Sequence, residues 1–158
     1  IITPGHLQDE WISEILKFTD ISQDRIYVIK GSKSIYQLQP SVYNPKNHDI
    51  YVSTIDSLYQ YISHMNDVYQ GCISLYELLY YLKIGIKIMD EVHMKFRQLL
   101  MVDLVSNIKH NIYLTATFMR TNSKSDKIFQ LYFDDQYKYK MKEYNKYINI
   151  TQYDYSLG

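Results

Sequence analysis

The chain has 158 residues, 46% of them hydrophobic and 22% charged, which is enough to bury one ordinary core and argues for a single domain. Lys and Arg number 17 and Asp and Glu also number 17, so global basicity gives no reason to expect nucleic acid, although a local patch can sit inside a balanced total. No run reaches the roughly eighteen apolar residues of a membrane span, no charged start leads into a signal segment, and the single cysteine, Cys72, excludes an internal disulfide or a zinc site built on paired cysteines. The expectation is a chain that neither crosses a membrane nor is secreted, in a reducing, cytoplasmic compartment.

Short apolar runs alternate with segments of helical period, the pattern of βαβ units around a mainly parallel sheet. Ile1-Ile2-Thr3 reads as a strand that turns at Pro4-Gly5. It begins without a methionine, so the chain is expected to be an internal piece of something longer. Leu7, Trp11, Ile12, Ile15 and Leu16 then mark one face of a helix. Arg25-Ile26-Tyr27-Val28-Ile29 is the second strand, and the polar stretch from Gly31 through Pro40 and Pro45 reads as surface loop with room for one helical turn. Asp49-Ile50-Tyr51-Val52-Ser53 is the third strand, followed by a helix carrying Leu58, Tyr61, Ile62 and Met65 on its buried face.

After a break over 66–71, Leu75, Leu78, Leu79 and Leu82 form another amphipathic helix feeding Gly85-Ile86-Lys87-Ile88-Met89. That run is apolar apart from Lys87, as expected for a strand covered by helices on both faces. Phe96, Leu99, Leu100, Val102, Leu104 and Val105 mark a helix, Asn111-Ile112-Tyr113-Leu114-Thr115 a fifth strand, and Ile128, Leu131 and Tyr132 one more helix. From Tyr137 to Tyr155 the chain alternates Tyr, Lys, Asn and Ile and fits an edge strand, a hairpin or a linker, so 136–158 is set apart as an edge strand or linker. Ala116 is the sole alanine and Tyr numbers 18, a bias expected of an AT-rich coding genome such as that of a virus, phage or parasite. Aromatic abundance is therefore weak evidence for base stacking.

The chemistry concentrates in Ile88-Met89-Asp90-Glu91-Val92-His93. In open parallel sheets ligands bind at the carboxyl ends of strands. A buried strand ending in two adjacent carboxylates there suits a nucleotide's Mg²⁺: the first acid reaches the metal and the second accepts a proton from attacking water. The competing reading is an acidic pair capping the following helix.

On these residues the chain resembles the first motor domain of superfamily 2 helicases and translocases of the DExH kind. Asp90-Glu91-Val92-His93 is similar to motif II, and Leu114-Thr115-Ala116-Thr117-Phe118-Met119-Arg120 to motif III. Thr3-Pro4-Gly5-His6-Leu7 with Trp11 and Glu14 is similar to motif Ia, and Val52-Ser53-Thr54-Ile55-Asp56-Ser57-Leu58 to motif Ib. The matches run in the family's order across residues 1–120. The resemblance implies an α/β, RecA-like fold over 1–135, incomplete at its N-terminal strand, with helices on both faces of a mainly parallel sheet. It implies ATP and Mg as cofactors, with Asp90 on the metal, Glu91 on the hydrolytic water and His93 linking the nucleotide site to motif III. Thr115, Ala116 and Thr117 would pass the nucleotide state to the track, and Pro4, Gly5, Thr54 and Ser57 would lie along a nucleic-acid backbone, DNA favoured over RNA. A second RecA-like domain of the same chain is the implied partner. The whole protein would be an ATP-dependent helicase; a double-strand translocase subunit and a hydrolysis-dead nucleic-acid clamp are the alternatives.

Two departures stand out. Phe118 replaces the usual proline of motif III. No G-x-x-x-x-G-K-S/T occurs, and Gly31-Ser32-Lys33-Ser34 has the residue types in the wrong order, so this chain alone is expected to be inactive as an ATPase. His6, His48, His64 and His110 lack ligand spacing, Cys72 lacks a neighbouring base, and Trp11 is assigned to helix-to-sheet packing. The basic and aromatic residues from Tyr137 to Tyr147 are assigned to a solvated edge or linker.

Overall fold

In the computed structural model of the protein, residues 1–64, 72–115, 127–128 and 131–133 are described. Four strands, β1 (Ile26–Ile29), β2 (Ile50–Ser53), β3 (Ile86–Met89) and β4 (His110–Tyr113), form two parallel pairs. Segment 1–3 joins them. Ile2 bridges in parallel to Ser53 on one side and to Met89 on the other. The Ile2 amide donates to the Ile88 carbonyl at 2.7 Å, the Thr3 amide to Ser53 at 3.0 Å and the Asp90 amide to Ile2 at 2.8 Å. The lateral order is thus β1, β2, segment 1–3, β3, β4, all running the same way, so every strand carboxyl end lies on one rim. A mixed α/β architecture with parallel pairing follows, as the alternation of apolar runs and helical stripes predicts.

Strand alternation sorts the side chains between two faces. Ile26 and Val52 meet Ile15 of α1 (Gln8–Phe18), with Ile1, Ile12, Ile21 and Ile50 packed around them. On the opposite face Ile29, Tyr51 and Met89 enter a larger core with helices α2 (Gly31–Tyr36), α3 (Ile55–His64), α4 (Leu75–Tyr81) and α5 (Phe96–Ser106). α4 begins with a capping box in which the Ser74 hydroxyl and the Glu77 carboxylate each take the other residue's backbone N–H. Tyr61, Leu75, Leu78 and Val102 are fully buried there. Residues 127, 128, 131 and 132 are helical where a last helix was expected. The rings of Tyr132 and Phe133 pack edge-on against Tyr113.

Two expectations change. Residues 31–45 are more than a surface loop: Gly31, at φ +75°, turns the chain into α2, and Ile35 and Leu38 are fully buried in the main core. One step of three residues between them is too short a pattern to stand out in a polar stretch. The second face of β3 and β4 is also partly open among the described residues, with Ile86 60% and Ile112 of β4 46% exposed.

Lys87, the polar interruption in β3, points into the core and is 4% exposed. Its ammonium is ion-paired with Asp103 of α5 and donates to the Ser106 hydroxyl at 2.5 Å, while the Tyr113 phenol donates to the other Asp103 oxygen at 2.8 Å. Burial pushes the Tyr113 phenol well above its ordinary range and the Lys87 ammonium below its own, and Asp103 pulls the lysine back toward the charged form. No helix among the described residues is long and apolar enough to cross a membrane.

Candidate functional site

At the rim formed by the strand carboxyl ends, β3 ends at Met89 and the chain breaks from extended geometry within two residues. Glu91 takes a left-handed conformation, φ +51°, and so does Lys95, φ +50°. A non-glycine residue held there stores strain that the surroundings must over-determine. They do so here. The Asp90 amide is tied to the Ile2 carbonyl, the Val92 amide donates to the Leu114 carbonyl at 3.1 Å, and the Met94 amide donates to the Glu91 carbonyl at 2.8 Å.

Asp90 is clamped by neutral donors. Its Oδ2 accepts from the Trp11 indole Nε1 at 2.8 Å and from the Thr3 hydroxyl at 3.2 Å, and its Oδ1 accepts from the Glu91 amide at 2.9 Å. None of these bonds brings a positive charge. Glu91 differs. Its buried Oε2 accepts no hydrogen bond and lies 3.0 Å from His93 Nδ1, an ion pair only when the imidazole is protonated. His93 Nδ1 also lies 2.8 Å from the Thr115 hydroxyl at the end of β4. The tip of β3 is therefore connected, through one imidazole, to the corner that follows β4.

A cleft of about 160 Å³ opens beside these groups, lined by Thr3, Pro4, Gly5, Thr54, Asp90 and Glu91 among others. Lys95 pairs with Asp56 at its border. Pro4 and Gly5 begin the 3₁₀ turn Gly5–Leu7 that leads into α1, and a methyl added at Gly5 would make ordinary contact with Thr54 Cγ2 at 3.7 Å. Thr54 precedes α3 and its hydroxyl accepts from the Ser57 amide at 3.1 Å, a helix-capping bond. Ser57 is buried, and its hydroxyl takes the Gly31 amide at 3.1 Å and lies 2.8 Å from the Thr54 hydroxyl. Its hydroxyl thus faces inward, tying α2 to α3.

Of the residues singled out in the sequence, the fold brings Pro4, Gly5, Thr54, Asp90 and Glu91 to one cleft and sets His93 and Thr115 in contact beside it. Ala116 and Thr117, with Phe118 and Arg120, lie outside the described residues, as does the segment from Tyr137 to Tyr147. Gly31-Ser32-Lys33-Ser34 forms the first turn of α2, its Gly31 amide occupied by Ser57. His48 is turned toward Tyr43 and Tyr27, away from this cleft. Among the described residues no group of three or more His, Cys, Asp or Glu could enclose a metal, so a cation here would have few protein ligands.

The residues that sequence reasoning missed are Thr3 and Trp11 as partners of Asp90. A signal existed for Trp11: an indole within a buried stripe must find an acceptor for its N–H, and the stripe faces a sheet with an aspartate at the tip of its neighbouring strand. Comparison of the chain with family models, curated proteins and solved structures gives no match.

Proposed function

We propose that the chain is part of a RecA-like first motor domain of a superfamily 2, DExH-type helicase or translocase, coupling hydrolysis of Mg-ATP to movement along a nucleic-acid backbone. The observation that carries the reading is the arrangement of one rim, where adjacent Asp90 and Glu91 at a central strand tip are linked through His93 to Thr115 and share a cleft with Pro4, Gly5 and Thr54. Surface acids that merely cap a helix require no such link. α5 begins at Phe96, with Lys95 rather than either acid at its cap.

The donor set fits a hydrated Mg²⁺, which takes one or two carboxylates plus substrate phosphates rather than an all-protein cage. Asp90, held by neutral donors, would hold it, with Glu91, whose Oε2 lies 3.0 Å from His93 Nδ1, beside it. When bound, Mg²⁺ would neutralise charge on the phosphates. Glu91 would orient the attacking water and take its proton, as a carboxylate general base does. His93, poised between Glu91 and Thr115, would report the state of that carboxylate to the β4 corner. Pro4, Gly5 and Thr54 would meet sugar and phosphate, DNA favoured over RNA, because small residues and a hydroxyl let backbone amides approach. Ser57, with its hydroxyl turned inward, would act there only through Thr54.

Such a domain works with a phosphate-binding loop of the G-x-x-x-x-G-K-S/T kind, which does not occur in these 158 residues, and with a second RecA-like domain. Hydrolysis would belong to the complete protein, cytoplasmic or virus- or phage-encoded in a host cell. In that protein Glu91→Gln should lower nucleic-acid-stimulated ATP turnover by roughly 10²–10⁴-fold while ATP still binds. An unchanged turnover rate removes Glu91 from the mechanism.

A further inference from the structure

Asp90 is held on one oxygen by two side chains from a single short stretch: Thr3 at the end of segment 1–3, and Trp11 in the first turn of α1. Pro4 and Gly5 lie between them. Thr3 is almost wholly buried and Trp11 half-buried, so both donors are fixed by packing and neither is a mobile surface group. Both are neutral. A lysine or arginine in their place would neutralise the carboxylate and compete with any cation, whereas an indole N–H and a hydroxyl orient it and leave its charge intact.

We propose that Trp11 and Thr3 are positioning residues for Asp90: they fix the carboxylate in the orientation in which it meets a divalent cation, and they tie that carboxylate to the segment carrying Pro4 and Gly5. The inference rests on the reading that Asp90 is the metal-binding residue. It adds that α1 has a second duty besides covering β1 and β2. A displacement of the Pro4–Gly5 turn by a bound backbone moves the donors of Asp90 with it, so track and metal share one rigid stretch of chain.

The test uses Mn²⁺ in place of Mg²⁺ and reads its paramagnetic broadening of amide signals in the ¹⁵N-labelled complete protein with a non-hydrolysable ATP analogue, which supplies the phosphate ligands. Trp11 is the only tryptophan of these 158 residues, and the indole N–H resonance that Trp11→Phe removes marks the Asp90 hydrogen bond. Wild type should show broadening at the Glu91 amide and the Trp11 indole, and Asp90→Asn should abolish both. Trp11→Phe, which keeps an aromatic ring and loses the donor, should need about tenfold more Mn²⁺ for the same effect at Glu91. Thr3→Val should need several-fold more, and Thr3→Ser, which restores the hydroxyl, should return to wild type. A merely structural Thr3 predicts no difference between Val and Ser in Mn²⁺ response, and the Thr3 pair decides the matter should Trp11→Phe fail to fold. Equal Mn²⁺ response in wild type, Trp11→Phe and Thr3→Val, with Asp90→Asn silent, overturns the positioning role and leaves Asp90 as the metal residue. No broadening near Asp90 in the wild-type chain overturns both.

Discussion

Two aspartates lie near β3, and the chain treats them in opposite ways. Asp103, reaching across from α5 to Lys87, is buried, paired with that ammonium and bonded to the Tyr113 phenol. Asp90, at the strand's tip, is half-exposed and bonded only to neutral donors. Asp103 has its charge cancelled inside the fold, and the network it completes fastens α5 to β3 and β4. Asp90 has its position fixed and its charge left open. The difference separates two uses of a hydrogen-bonded acid: partners that cancel its charge, and partners that only orient it.

The largest expected break in this comparison comes from removing the cation of the buried pair. Lys87→Met leaves Asp103 without its counter-charge and should cost about 3–5 kcal/mol of stability in chemical denaturation. Lys87→Met with Asp103→Leu should recover most of that loss, since the burial of both charges was costly. Asp90→Asn should cost less, about 1–2 kcal/mol, because Trp11 and Thr3 can still donate to the amide oxygen while the Glu91 N–H loses its acceptor to an NH2 group. A large loss for Asp90→Asn, or none for Lys87→Met, would reverse the roles of the two acids.

A smaller effect belongs to the aromatic cluster beside β1 and β2. His48 Nδ1 meets the Tyr43 phenol, which lies 3.0 Å from the Tyr51 phenol, and the Tyr27 ring stands edge-on at 5.1 Å. Burial pushes the His48 pKa below its ordinary value of 6.5; Arg25 pushes the same way, while Asp24 and Asp49 oppose it. The unfolded chain therefore takes up the proton first as pH falls. His48 contributes stability above pH 6.5 that is lost as pH drops through the folded-state value. Denaturation midpoints should fall modestly between pH 7 and pH 5, and His48→Gln should flatten that part of the slope.

Much of this was legible in the sequence because the signals are local. Five apolar runs with turn residues between them specify the strands, and Asp90-Glu91 at the end of 86–89 places the acids on the carboxyl rim once all strands run in parallel. The partners were harder to see because they are distant in sequence: 79 residues separate Trp11 from Asp90 and 16 separate Lys87 from Asp103. A pattern reports which face a residue occupies and says nothing about what stands opposite. Lys87 could be recognised as an interruption in an apolar run, and Asp103 as a charge within the stripe of Leu99, Val102 and Ser106. Only the packing of α5 on β3 makes them one feature. The inward turn of the Ser57 hydroxyl escaped for the same reason, since the Gly31 amide that fills it belongs to a different helix.

The claim that Asp90 aims an uncancelled charge at a metal-bound nucleotide is tested most directly by the crystal structure of the complete protein with Mn²⁺ and a non-hydrolysable ATP analogue. The account predicts an anomalous peak beside the Asp90 carboxylate, at about 2 Å if the ligation is direct and one water farther if it is not, with Trp11 still bonded to the same carboxylate. A nucleotide and metal bound at the amino ends of the strands, or anywhere away from Asp90 and Glu91, would contradict it.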